Sequence, residues 1–105
     1  MNVLIVTFRL DGMSEGDYSQ ACEELAPLFT AVPGLVAKVW LAESASGAYG
    51  GVYLFKESDA ADAYLASDLF HRVVDTPGLR DVTVHKYGVL ERPTNVTGRA
   101  INVAA

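Results

Sequence analysis

The sequence predicts an α+β fold in which four strands and two helices follow one another in the order β-α-β-β-α-β. Its 105 residues are enough for one domain. Half of them are hydrophobic, so the chain can bury a core. Segments rich in Val, Ile, Leu and Phe alternate with segments whose apolar residues recur at helical spacing, and Gly, Pro and Asp separate them.

The first half of the chain contains one strand and one long helix. Met1–Leu10 reads as a strand and is closed by an Asp-Gly pair. Ser14 or Asp17 can cap the helix that follows, which a Pro-Gly pair ends. Pro27 lies inside the helical pattern and should kink or loosen it. The apolar positions of this helix are Tyr18, Ala21, Cys22, Leu25, Leu28 and Phe29.

The second half repeats the strand-helix-strand order. Three further strands are predicted, over Leu35–Ala42, Ala48–Lys56 and Arg80–Leu90. Ser44–Gly47 forms the hairpin loop between the first two of them. Ser58 is expected to cap a second helix, and Ser67 to begin a short continuation of it. The complete order is the ferredoxin-like pattern with an antiparallel sheet.

The two faces of the predicted sheet differ in polarity. Two helices can cover only one face, and the uniformly apolar set Leu4, Val6, Phe8 and Leu10 suits that side. The opposite face is then expected to carry a mixed aromatic and polar set: Ile5, Thr7, Arg9, Lys38, Trp40, Tyr53, Phe55, His85 and Tyr87. Such a face fits an enclosed ligand pocket. A second sheet packed against it would close the pocket, so the sequence predicts a homodimer.

The C-terminal segment stands apart from this pattern. Residues 1–90 form the predicted domain, and Glu91–Ala105 has no clear period. Its apolar residues Val96, Ile101 and Val103 indicate that it packs on the dimer partner or over the pocket.

Composition excludes several function classes. Thirteen acidic residues against eight basic ones, with no basic run, argue against nucleic-acid and anionic membrane partners. No apolar segment is long enough to span a bilayer, and no signal peptide is evident, so a cytoplasmic location is expected. A single cysteine and two histidines give neither an internal disulfide nor a metal site, and no cofactor motif is present.

Two segments carry a family resemblance. Pro33–Trp40 and Gly50–Phe55 resemble the YdhR-like monooxygenases, as do, more weakly, Ala63–Leu65, Val89–Glu91 and Thr94–Arg99. The resemblance implies a dimeric α+β barrel in which two ferredoxin-like sheets close around two pockets. Members are named largely by likeness to cofactor-free oxygenases of aromatic polyketides, so it also implies such a small-molecule substrate and no cofactor.

Cofactor-free oxygenation needs a base, a dry pocket and donors for an oxyanion. His85 is the best base by residue type; the alternative is an exposed histidine on an outer strand. Trp40 would form a flat wall for an aromatic substrate, or else dimer core. Tyr53 and Tyr87 could steady a substrate oxygen, or serve only in aromatic packing. These four are the predicted catalytic residues.

A second set would bind the substrate. Lys38 and Arg9 could anchor an anionic substrate, or form ion pairs with acidic residues, some of them across the dimer. Thr7 and Phe55 share the same predicted face and complete this set. Cys22, among apolar helix positions, is expected to be a buried, inert thiol.

Two other functions fit the same pocket. A polyketide cyclase or isomerase would use His85 as base and a tyrosine as acid, and would consume no oxygen. A non-catalytic dimer would bind flat hydrophobic ligands without turnover.

Overall fold

The computed structural model describes residues 1–98 and shows a single four-stranded sheet. Its elements are β1 (Asn2–Leu10), α1 (Glu15–Phe29), β2 (Leu35–Glu43), β3 (Ala48–Phe55), α2 (Ser58–Leu65), α3 (Asp68–Val74), β4 (Leu79–Gly88) and α4 (Glu91–Thr97). The strands lie in the order β2-β3-β1-β4, and every neighbouring pair is antiparallel. The predicted α+β, ferredoxin-like fold is confirmed.

α1 and α3 begin at serine caps, whereas α2 and α4 have no side-chain cap. The Ser14 hydroxyl accepts the Asp17 N–H at 3.1 Å and caps α1. Ser67 caps α3 in the same way, since its hydroxyl accepts the Phe70 N–H at 3.2 Å. The expectation that Ser58 caps α2 is wrong, because Ser58 is already the first helical residue. Its hydroxyl instead accepts a hydrogen bond from the Lys86 ammonium at 2.6 Å.

Aromatic rings fill most of the core between the helices and the sheet. Tyr64 of α2 lies at its centre, with ring centroids 5.0 Å from Tyr53 and 5.4 Å from Phe70. Burial of one such ring contributes about 1.5–3 kcal/mol to folding. The buried cluster consists of Leu4, Val6, Phe8, Phe29, Tyr49, Tyr53, Phe55, Ala61, Tyr64 and Phe70.

The predicted sheet faces are correct for β1 and wrong for β3. Leu4 and Val6 of β1 are buried against the helices as expected. Tyr53 pairs with Leu4 across the ladder, so Tyr53 and Phe55 also face the helices rather than the open side. Both are almost fully buried, because the helices offer their large rings an apolar enclosure that the open face lacks.

The predicted face is also wrong for β2, for a different reason. The register against β3 shifts between Leu35 and Ala37, which is a β-bulge at Val36. A bulge adds one residue to one strand and reverses the alternation beyond it. Leu35 therefore packs on the helix side, as do Lys38 and Trp40, which pair with Tyr53 and Gly51. Simple alternation placed Lys38 and Trp40 on the open face.

The face of the sheet away from the helices is mostly aliphatic and partly uncovered. On β1 and β4 it carries Thr7, His85 and Tyr87, as predicted, and the Thr7 and Thr83 hydroxyls share a hydrogen bond. Val39 and Tyr87 are each more than half exposed. The pairing register places these residues on this open face: Val3, Ile5, Thr7, Ala37, Val39, Leu41, Val52, Leu54, Thr83, His85 and Tyr87.

The C-terminal segment begins with a short helix. α4 covers Glu91–Thr97 and exposes Val96, and the neighbouring Leu90 is equally exposed. The rest of the predicted packing segment, including Ile101 and Val103, lies outside the described residues. Its packing on a partner or on the pocket stays a prediction, as does the boundary at residue 90. Within residues 1–98, none of the helices has the length and apolarity needed to cross a membrane.

Candidate functional site

A pocket lies between α1 and the helix side of the sheet, near the connection from α3 to β4. The cavity volume is about 50 Å³, and about 450 Å³ when the open space at its mouth is included. It is therefore a narrow pocket that is only partly enclosed, because its mouth opens to solvent. Its walls are Phe8, Met13, Tyr18, Ala21, Cys22, Leu25, Lys38, Trp40, Gly50, Tyr53, Val73, Thr76 and Leu79.

Lys38 is the charged side chain of the α1 pocket. Its Nζ lies 3.3 Å from the centroid of the Trp40 ring and 3.6 Å from that of Phe29. The Tyr53 ring is 4.6 Å away. Burial lowers the pKa of Lys38 to about 7, while the nearby Cys22 opposes that change. The three ring faces also favour the ammonium.

Tyr18 and Cys22 form a polar pair on the α1 side of the pocket. They are four residues apart, and i, i+4 spacing puts two side chains on one face of a helix. Burial raises the pKa of Tyr18, and its hydrogen bond to the Cys22 side chain raises it further. Burial also raises the pKa of Cys22, against smaller opposing effects of Tyr18 and Lys38. Both groups are therefore neutral near pH 7.

Tyr53 and Tyr64 form a second pair, which lies deeper. The Tyr64 hydroxyl donates a hydrogen bond to the Tyr53 hydroxyl at 3.1 Å. Burial raises the pKa of Tyr53 and raises that of Tyr64 to about 12. Both hydroxyls remain protonated near pH 7, so this pair presents hydrogen-bonding groups and no charge.

The structure brings three of the eight predicted site residues together. Lys38, Trp40 and Tyr53 line the α1 pocket. Phe55 shares their side of the sheet but is fully buried beneath them, so it has no surface free for a ligand.

The remaining predicted site residues lie elsewhere. Thr7, His85 and Tyr87 occupy the open face, where the His85 and Tyr87 rings stack at 6.3 Å. Arg9 is exposed and donates to the Ser46 carbonyl at 3.1 Å. The prediction that Trp40 and His85 line one pocket within a chain is therefore wrong, because they lie on opposite faces of the sheet.

Sequence reasoning missed Tyr18, and it treated Cys22 as inert core. The thiol is only half-buried and lines the α1 pocket. The available signal was the spacing of these two residues on a helix that must cover the sheet.

The ion pair that was the alternative for Lys38 and Arg9 is not found in residues 1–98, where Lys86 and Asp62 form the single salt bridge. The described residues also contain no cluster of His, Cys, Asp or Glu able to hold a metal ion.

The whole described fold matches one family. The family model described as "Putative mono-oxygenase ydhR" matches residues 3–100. The chain belongs to this family. A search of the curated proteins finds no match to the sequence of this YdhR-family chain.

Solved structures with the same fold have diverged far in sequence. The cofactor-independent oxygenase SnoaB from Streptomyces nogalater, as its N63A mutant, has a TM-score of 0.67 and 16% identity over 86% of this chain and 93% of its own. The heme-degrader MhuD from Mycobacterium tuberculosis has a TM-score of 0.69 and 13% identity, over 86% of this chain and 96% of its own. NE2512, a protein of unknown function from Nitrosomonas europaea, has a TM-score of 0.70 and 17% identity, over 85% of this chain and 88% of its own. At these identities the likeness shows the YdhR-family fold alone.

Proposed function

We propose that this YdhR-family chain is a cofactor-independent monooxygenase of an electron-rich aromatic compound of the polyketide type. The observation that carries the proposal is the α1 pocket, which is narrow, partly enclosed and lined by aromatic rings around a few polar groups. Such a site suits a flat aromatic ligand and excludes water from a reactive anion. Family membership and the fold shared with a cofactor-independent oxygenase agree with it.

Trp40 lies between the α1 pocket and two grooves on the protein surface. It lines the α1 pocket and also two outer grooves, one along α1 and one beside β2. The pocket is too small for a polycyclic ligand in its present shape, so binding requires a side chain to move. Rotation of Trp40 would join the pocket to the outer grooves, and its ring would then lie against the ligand. This supports Trp40 as the aromatic wall, the role the sequence predicts.

The chemistry can be written for a substrate such as an anthrone. Removal of one C–H or O–H proton gives a delocalised anion, which transfers one electron to dioxygen. The resulting radical pair joins to form a C–O–O bond. The peroxide then takes up a proton and loses water, so that a CH₂ group becomes C=O, one oxygen atom enters the product and the other leaves as water. The chain supplies a mostly apolar pocket and hydrogen-bonding hydroxyls at Tyr18 and Tyr53.

Oxygen consumption tests the proposal. Purified, metal-free protein is mixed with a panel of anthrones and hydroquinones, and oxygen uptake is measured for wild type, Trp40→Phe and Val82→Ala. We expect protein-dependent uptake that falls at least about tenfold in Trp40→Phe. Val82→Ala, at an exposed position of β4 that does not line the α1 pocket, is the control and should retain full activity. No uptake above autoxidation would refute the oxygenase.

The same assay distinguishes the alternatives. Turnover that continues without oxygen would indicate a cyclase or isomerase. Binding without turnover would indicate a ligand-binding protein. The role of His85 as the base stays a prediction, and His85→Ala tests it: an inactive variant would place the chemistry on the open face, against the α1 pocket.

We also propose that the open face forms a homodimer. Aliphatic side chains on β2 and β3, with Val39 more than half exposed, form an apolar surface that a second sheet would cover. Val39→Lys would place an unpaired charge in that interface and should give a monomeric mass by analytical ultracentrifugation. Ala42→Lys, an exposed position on the other face of the same strand, is the control and should stay dimeric. A dimer that persists in Val39→Lys would refute this interface.

A further inference from the structure

Lys38 reaches the α1 pocket because of the bulge at Val36. The register shift turns the Lys38 side chain to the helix side of the sheet. There its Nζ lies over the rings of Trp40, Phe29 and Tyr53. The amine is therefore held over three rings in a partly buried position, where Lys38 lines both the α1 pocket and the groove beside β2.

The amine has no anionic partner within the described residues, whose one salt bridge is on the outer surface. The groups that face it from α1 are Tyr18 and Cys22, and from β3 Tyr53. All three have raised pKa values and are neutral near pH 7. Tyr64 of α2 reaches this set only through its hydrogen bond to Tyr53 and is neutral too.

The α3–β4 side of the pocket contributes Val73, Thr76 and Leu79, none of which ionises near neutral pH. A buried cation without a counter-ion is unfavourable, and a ligand that supplies the negative charge removes the cost. Because burial brings the pKa of Lys38 to about 7, the free amine and the ammonium both exist at neutral pH. Such a group can both accept a proton and hold an anion.

We propose that Lys38 is the proton acceptor of the α1 pocket, and that the ligand is a phenol or enol whose hydroxyl it deprotonates. The O–H bond of the ligand breaks, its electron pair stays on oxygen, and the proton forms the third N–H bond of the ammonium. The oxyanion and the ammonium then form an ion pair inside the pocket. The assignment rests on the proposed function for the reaction that follows, but the ion pair itself needs no oxygen.

A chromophoric phenol measures the ion pair without turnover. 4-Nitrophenol changes colour when it becomes the phenolate, and 4-nitroanisole is the matched ligand that cannot ionise. At about pH 6, below the pKa of the free phenol, wild-type protein should bind 4-nitrophenol with the phenolate absorbance. Lys38→Met should lose that absorbance and bind the phenol at least about tenfold more weakly. Both proteins should bind 4-nitroanisole equally.

Two further measurements keep the test decisive. Lys38→Arg retains a cation and should keep the phenolate absorbance, which guards against a folding defect in Lys38→Met. Lysine labelled with ¹³C at Cε follows Lys38 by NMR, and at about pH 7, where free amine and un-ionised phenol are both present, its signal should move to the ammonium position when 4-nitrophenol binds. Lys56→Met, at an exposed lysine, is the control.

The outcomes separate this proposal from the oxygenase. A phenolate absorbance that is absent in wild type, or unchanged in Lys38→Met, overturns the role of Lys38. An unmoved Lys38 signal overturns it too. A phenolate absorbance that depends on Lys38, together with no oxygen uptake, supports the ion pair and refutes only the oxygenase.

Discussion

Replacing Lys38 by methionine should stabilise the fold at neutral pH, and the gain should shrink as the pH rises. Methionine is about as long as the lysine stem and carries no charge to bury. Lys38 has a pKa of 10.5 as a free side chain and of about 7 in the fold. Between these values the unfolded chain binds a proton that the folded chain does not. The stability of wild type therefore increases with pH in this range.

The size of the effect follows from the two pKa values. Because the two pKa values differ, Lys38 contributes about 2.7 kcal/mol more to the free energy of unfolding at about pH 9 than at about pH 6. The rings of Trp40, Phe29 and Tyr53 stabilise the ammonium, each by about 0.5–2 kcal/mol, so 2.7 kcal/mol is an upper limit. At pH 6 Lys38→Met should be the more stable protein.

Urea denaturation followed by circular dichroism measures this difference. Both proteins are unfolded at several pH values between about 6 and 9, at one protein concentration because association also shifts apparent stability. Taking wild type minus variant cancels the other titrating groups. Lys56→Met reports what the loss of an exposed lysine does alone. The free energy of unfolding of wild type minus that of Lys38→Met should increase with pH. If this difference does not change with pH, or if it decreases, the reasoning about Lys38 is refuted.

Two further substitutions test the packing around the α1 pocket. Tyr64→Phe removes one partner of the 3.1 Å hydrogen bond and leaves the Tyr53 hydroxyl unpaired, which should lower the free energy of unfolding by about 1–3 kcal/mol. The double variant with Tyr53→Phe should lose less than the sum of the two single losses. Strictly additive losses would contradict the pairing. Gly50→Ala should lose at least about 3 kcal/mol, because Gly50 has φ +144° and an added Cβ would lie 1.9 Å from the Val6 carbonyl oxygen. Gly88→Ala meets nothing within 4 Å and is the control; similar melting temperatures for the two alanine variants would show that the strand pairing at Gly50 is not as described.

The sequence predicted the order of elements because turn residues and apolar periods are local signals. The face of β1 was also predictable, since Leu4, Val6 and Phe8 are uniformly apolar. Which residues of β3 face the helices could not be predicted from the sequence. Val52 and Tyr53 are both apolar enough for either side, and only the aromatic neighbours supplied by α1 and α2 decide between them.

The candidate site could be predicted only in part. Residue type identified Trp40 and Lys38, and both line the α1 pocket. Alternation along β2 placed them on the wrong face, because a bulge is set by how two strands pair and leaves no mark in one strand. His85 was attractive because its free pKa is near neutral, yet a lysine buried among rings reaches the same range. That effect depends on three-dimensional contacts.

The extra residue at Val36 also bears on how the relatives are compared. At 13–17% identity, an alignment through β2 can shift by one position without losing much apparent similarity. Such a shift would match the inward Lys38 with an outward residue of another protein and invert the chemistry inferred for both. Strand pairing, superposed residue by residue, is the safer guide. It follows that a single deletion in β2 could give a descendant of this chain a pocket of a different character without changing the rest of the sheet.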